Sequence, residues 1–125
     1  MRNIKILAII PYEGLRDNML KAAKSYENVS MQVVVGTMEL GLKYAKEAEK
    51  ADYDIIISRG GTAETIEEYI SLPVVHIPVS VFDYVQIIEK AGKTDKPTAI
   101  IGYANVTEDA YHIKAVAKSN IDIFT

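Results

Sequence analysis

The sequence predicts an α/β fold built on a parallel sheet, and three observations carry that expectation. Short, almost wholly apolar runs recur along the chain, the pattern of strands covered by helices on both faces. Segments with helical spacing separate them, so each step from strand to strand crosses over through a helix. Glycine, proline or threonine punctuates the junctions between the two kinds of segment.

In chain order, Ile4 to Ile10 is the first strand, near-continuous in its apolar residues. Leu15 to Tyr26 reads as a helix, with Leu15, Met19, Leu20 and Ala23 at helical spacing. Met31 to Val35 is the second strand, stopped by Gly36, and Thr37 stands where it would cap a helix running through Lys50. The inner face of that helix is expected to hold Leu40, Tyr44, Ala45 and Ala48. Asp54 to Ile57 is the third strand and Thr62 to Ile70 the third helix. Pro73 to Ile77 is the fourth strand, proline being tolerated at a first strand position. Ser80 begins a helix with Asp83 three residues on, close to a capping box, and Gly92 is expected to close it. Thr98 to Ile101 is a fifth strand ended by Gly102. Thr107 is read as the cap of a further helix, with Glu108 and Asp109 in a first turn where the dipole favours acids. Ile121 to Phe124 is the sixth strand. With no covering helix after it, this strand reads as part of a larger protein, and its free edge invites pairing with another chain.

Composition narrows the function classes. The length of 125 residues suits one ordinary domain with a real core. A net charge of −3 gives no general pull toward nucleic acid or an anionic membrane. The chain has no cysteine, hence no disulfide, thiol nucleophile or thiolate metal ligand, which agrees with a reducing cytoplasm. The apolar runs are far short of a membrane span, and the run after Met1-Arg2-Asn3 is too short for a secretory signal. A soluble cytoplasmic domain without a membrane partner is the expectation.

The chemistry concentrates at Ser58-Arg59-Gly60-Gly61-Thr62, where an apolar strand runs into a small-residue turn and a helix. In an open parallel sheet the carboxyl ends of strands form the rim where ligands bind. Two glycines let a ligand approach the backbone, unpaired N–H groups at a helix start favour an anion, and Arg59 can add a bidentate fork for carboxylate or phosphate. With strand order 2-1-3-4, the first and third strands are neighbours at a switch point, so Pro11, Tyr12, Glu13 and Gly14 share that rim. After the fourth strand come Ser80 and Asp83. The expected ligand-binding set is therefore Tyr12, Ser58, Arg59, Gly60, Gly61, Thr62, Ser80 and Asp83. For Thr62, Ser80 and Asp83, helix capping is the competing role. Glu64, Glu67 and Glu68 read as a solvated helix face, and most of the eight tyrosines as helix-surface positions.

Other chemistries find little support. His76 and His112 are distant and lack H-x-x-H spacing, so no metal is expected. There is no Walker A loop, no G-x-G-x-x-G fingerprint and no G-x-S-x-G elbow, so neither a nucleotide cofactor nor a serine nucleophile is implied. A receiver-like phosphoacceptor domain fits poorly, because Ser58 stands where the phosphoacceptor aspartate would be.

Ile55 to Glu64, then Pro73-Val74-Val75-His76-Ile77-Pro78-Val79-Ser80 with Phe82-Asp83, then Ala99-Ile100-Ile101-Gly102, follow one another in a distinctive order and spacing. In these motifs the chain resembles the N-terminal sensor domain of the propionate catabolism activators, which belong to the enhancer-binding transcriptional regulators. The resemblance implies a three-layer α/β/α lobe of chelatase-like or flavodoxin-like type over residues 1–79. It also implies the connecting helix and opening β-α-β of a second, incomplete lobe over 80–125. It further implies a small carboxylate effector, methylcitrate-like in the namesake branch, held in a cleft between lobes, with no catalysis. DNA and the sigma factor would be engaged only through modules absent from this chain. A homodimer, possibly strand-swapped through the second lobe, is the structural expectation. The rival reading is a small racemase-like or chelatase-like enzyme acting on a carboxylate, for which Glu13, Asp83 and His76 are the candidate acids and bases.

Overall fold

A computed structural model describes residues 2–117 and 120–125. The chain divides into two compact units, Met1–Ile77 and Pro78–Thr125.

The first unit begins with β1 (Ile4–Ile10), a short 3-10 turn (Glu13–Leu15) and α1 (Arg16–Ala23). It continues with β2 (Val29–Val35), α2 (Met38–Lys50), β3 (Ile55–Ser58), α3 (Gly60–Tyr69) and β4 (Val74–His76). The sheet is parallel throughout, in the expected order β2-β1-β3-β4. Alternation along β1 serves two layers. Leu7 and Ile9 face a cluster with Ile56 and with Ala45, Ala48, Ile66 and Ile70 of the segments carrying α2 and α3. Ala8 and Ile10 face the opposite way, with Val33, against Leu15, Met19 and Leu20. Each buried Leu or Ile side chain contributes about 1.5–3 kcal/mol, so this double-sided burial dominates the unit's stability.

At the amino end of the sheet, Asp54 stands just before β3 rather than in it. Its carboxylate accepts the amide of Lys5 at 2.9 Å and pairs with Arg2, while its own amide donates to the Lys5 carbonyl at 2.8 Å. The strand runs Ile55–Ser58, one residue later at each end than the expected Asp54 to Ile57.

The second unit contains α4 (Val81–Gly92), β5 (Ala99–Ile101), α5 (Ala104–Ala117) and β6 (Asp122–Phe124). Its two strands are parallel, pairing Ala99 with Asp122, Ile100 with Ile123 and Ile101 with Phe124. Tyr84, Ala110 and Ile123 form its buried centre, with Val79, Ile100, Val106 and Ile113 packed around them. The Tyr84 hydroxyl donates to the Val106 carbonyl at 2.6 Å.

Several sequence expectations change here. Leu40 does not join the inner face of α2; it is largely exposed, and the buried positions are Gly41, Ala45 and Ala48. Gly92 does not close α4 as a left-handed residue, because it is the last helical residue and Lys93 follows in ordinary helical conformation. Thr107 does not cap α5. The helix starts at Ala104, and Thr107 is buried inside it with its hydroxyl donating to the Tyr103 carbonyl at 3.2 Å. A threonine followed by two acids imitates a helix start, but a threonine hydroxyl can equally bond back one turn inside a helix. The near capping box at Ser80 is complete: the Asp83 amide donates to Ser80 Oγ at 3.2 Å and the Ser80 amide to Asp83 Oδ2 at 3.3 Å.

Candidate functional site

The rim at the carboxyl ends of β2, β1 and β3 is assembled by strand pairing. The register sets Ile10 beside Val35 and Ala8 beside Ile57, and the Gly36 amide donates to the Ile10 carbonyl at 3.0 Å. Tyr12, following the central strand, thus emerges between the segments Gly36–Met38 and Arg59–Gly60. The neighbouring strand ends lie about 4.8 Å apart on either side of it.

Two helices begin on this rim. Within α2 and α3, Gly41 and Thr62 approach so closely that a Cβ built on Gly41 would lie 2.6 Å from Thr62 Cγ2. Only glycine admits that contact without displacing a neighbour. The Met38 amide, at the start of α2, donates to Thr62 Oγ1 at 2.9 Å. Thr62 therefore does not open α3; it sits in that helix's first turn and satisfies the first amide of its neighbour. The helix begins two residues earlier, with extended Arg59 as its N-cap and Gly60 at φ 57, a left-handed conformation glycine takes at no steric cost. Two converging helix starts concentrate amide dipoles of one sign, which favours an anion.

The expected site residues separate by what their side chains already do. Ser58 is buried, and its hydroxyl donates to the Ile9 carbonyl at 2.8 Å, so that hydroxyl ties β3 to β1 rather than facing solvent. Thr62 is buried with its hydroxyl committed to α2. Gly60 and Gly61 are half-buried in the first turn of α3. Arg59 is half-exposed, and among the described residues its guanidinium has no hydrogen-bonded or ion-paired partner. Tyr12 is exposed, its ring lying 3.3 Å from where a Gly14 Cβ would stand. Ser80 and Asp83 belong to the second unit and complete the capping box of α4, the Ser80 hydroxyl also donating to Asp83 Oδ2 at 2.8 Å.

The residues considered as acids or bases have partners as well. Glu13 accepts from Arg16, whose guanidinium lowers the carboxyl's pKa chiefly through that hydrogen bond; the same bond raises Arg16. Arg16 also donates to the Val33 carbonyl at 2.6 Å. His76 Nε2 lies 2.9 Å from Glu67 Oε2, so Glu67 on that helix face has a specific partner. His112 is exposed. Among the described residues, no cluster of side chains could hold a metal ion, and no helix is long and apolar enough to cross a membrane.

Gly36, Thr37, Met38 and Gly41 were not among the expected site residues. The signal was present: Val35-Gly36-Thr37 repeats, at the end of β2, the strand-glycine-threonine pattern that marked the end of β3.

A parallel sheet in the order β2-β1-β3-β4, alternating with helices, defines a class, the open α/β domain. Residues 25–125 match the family model described as propionate catabolism activator, and the chain belongs to that family. It is thereby a regulatory sensor domain of a transcriptional activator. Among solved structures, an NtrC family transcriptional regulator from Clostridium acetobutylicum is similar, with 27% identity and a TM-score of 0.76. That match covers 98% of this chain and 64% of the regulator's, so the chain spans just under two thirds of it. Ornithine transcarbamoylase from Giardia lamblia aligns over 98% of this chain and 57% of its own, with 17% identity and a TM-score of 0.44, too low to bear on the fold or function. No curated protein matches the sequence significantly.

Proposed function

We propose that the first unit senses a small carboxylate effector, of the methylcitrate type, at the rim where α2 and α3 begin. The observation that carries this reading is Arg59, a half-exposed guanidinium without a partner among the described residues, at the cap of a helix that opens with two glycines. A carboxylate would pair with Arg59 in bidentate fashion and accept amides from the first turn of α3. Thr62 and Ser58 contribute by holding that turn and strand in place, their own hydroxyls being occupied. Tyr12 would border the ligand from the central strand. Ser80 and Asp83 enter this reading only as helix caps. Occupancy would be passed to the output modules of a longer regulator, which would engage DNA and the sigma factor. The acid and base candidates of the rival enzyme reading, Glu13, His76 and Asp83, are each bonded within the chain, so no specific observation favours it.

A thermal-shift screen of di- and tricarboxylates and short-chain acyl metabolites tests the proposal. An effector at about one hundred times its dissociation constant should stabilise the unit by about 2.7 kcal/mol. Arg59→Ala should abolish that shift while leaving the unliganded melting temperature nearly unchanged. Equal binding of a confirmed effector by parent and variant would refute the role given to Arg59.

A further inference from the structure

We infer that Arg16 is an autoinhibitory gatekeeper on the open edge of β2, and that the partner it excludes is the same edge of a second copy of this chain. Neither Arg59 nor the effector takes part.

Strand pairing fixes which backbone groups of β2 face outward. The Ile4 amide donates to the Asn28 carbonyl at 2.7 Å and the Gly36 amide to the Ile10 carbonyl at 3.0 Å, so at both ends the even-numbered residues face β1. Successive residues of a strand turn their amides and carbonyls to opposite sides. Val29, Met31, Val33 and Val35 therefore present theirs away from β1, and β1 is the strand neighbour of β2 among the described residues. Such a row of backbone groups is a template for another strand.

The protections that a sequence can give an edge are missing here. Val29–Val35 runs seven residues without a charge, a proline or a glycine. It pairs with β1 in unbroken register, so no bulge turns it aside. The opposite edge of the sheet, β4, is three residues long and follows Pro73, and its shortness is protection enough.

A side chain guards β2 instead. Arg16, the first residue of α1, donates from Nη1 to the Val33 carbonyl at 2.6 Å. Glu13 holds the rest of the fork, pairing with Nε and accepting from Nη2 at 3.2 Å. The guanidinium occupies the place that an incoming amide would take on that oxygen. Because the bond is charge-assisted, a neutral amide displaces it at a loss.

The strand's own residues argue for a second copy as the excluded partner. Antiparallel pairing about Gln32 sets Val29 opposite Val35 and Met31 opposite Val33, outward-facing pairs that would exchange both backbone bonds. Met31, Val33 and Val35, which pack on the α1 side of the sheet, would stay on one face across the junction. No like charges would meet, since the strand carries none. Each such pair needs the Val33 carbonyl of both copies, so Arg16 blocks it twice.

Sedimentation equilibrium and amide exchange on the full chain test this. Arg16→Ala should self-associate about a hundred-fold more tightly than the parent, roughly ten-fold for each of the two charge-assisted bonds no longer sacrificed. The Met31 and Val33 amides should exchange freely in the parent and become protected in the variant as its concentration rises. Adding Gln32→Lys sets two ammonium groups against each other at the centre of the pair and should restore the parent's association state with an unchanged circular dichroism spectrum. An association constant for Arg16→Ala equal to the parent's overturns the gatekeeper role. Tighter association that survives Gln32→Lys, or that leaves the Met31 and Val33 amides unprotected, puts the contact elsewhere and overturns it as well.

Discussion

The chain contains two parallel sheets that are covered in opposite ways. In the first unit, residues on both sides of β1 are buried, and the strand ends are pinned by side chains such as Ser58, whose hydroxyl spans from β3 to β1. In the second, Ile100 and Ile123 face the helices, while their register neighbours Ile101 and Phe124 point away, 79% and 56% exposed. Parallel sheets are almost always buried on both faces, and within these 125 residues the first sheet is so covered while the second is covered on one face. The lesson concerns where a site can be held. A rim is only as well placed as the strands beneath it, and the doubly covered sheet is the one that fixes three strand ends relative to one another.

The largest expected effect sets the two sheets directly against each other. Ile56 is fully buried in β3, and Ile56→Ala should cost about 2–5 kcal/mol, whereas Ile101→Ala should change stability by no more than about 0.5 kcal/mol. Calorimetric melts of the two variants measure this, and comparable losses would break the contrast.

A smaller difference is expected between two serines. Ser58→Ala removes a buried hydroxyl from the Ile9 carbonyl and should cost about 1–3 kcal/mol. Ser80→Ala removes an exposed cap and should cost about 1 kcal/mol, confined to the melting of the second unit. Chemical denaturation followed by amide exchange assigns each loss to its unit.

The smallest effect is a pH dependence. Burial, and then the charge of Asp109, raises the Tyr84 pKa above its ordinary value of 10.0. The folded state therefore holds this proton more tightly than the unfolded chain. The resulting stability is complete below pH 10 and is lost as the pH climbs from there toward the raised value. Tyr84→Phe should remove this alkaline loss from the second unit's melting curve. The first unit, whose shifted groups are the exposed Glu13 and Arg16, should show no counterpart.

Much of the architecture was legible in the sequence because strands buried on both faces leave continuous apolar runs. Ile4 to Ile10 coincides with β1, and the alternation with helices implies the parallel sheet, while the order 2-1-3-4, assumed for the sequence rather than read from it, is the one observed. Helix starts were less legible. Gly60 and Gly61 read as a turn, yet both are helical, since the left-handed conformation of Gly60 lets the chain enter the helix abruptly. Thr62 and Thr107 looked like caps because local sequence does not reveal which amide or carbonyl a hydroxyl will meet. For Thr62 the partner, Met38, lies twenty-four residues away. Arg59 and its glycines were singled out from the residues alone as a strand-end turn. Met38 was not, because a left-handed φ at methionine leaves no trace in composition or periodicity.

The bond between the Met38 amide and the Thr62 hydroxyl also gives the molecule a built-in reporter. An amide held by a side-chain oxygen exchanges with solvent only when that bond opens. Its exchange rate is thus a reading of how often the starts of α2 and α3 part company. If an effector tightens the rim, the resonance of this one proton should slow its exchange before any change in overall shape could be detected.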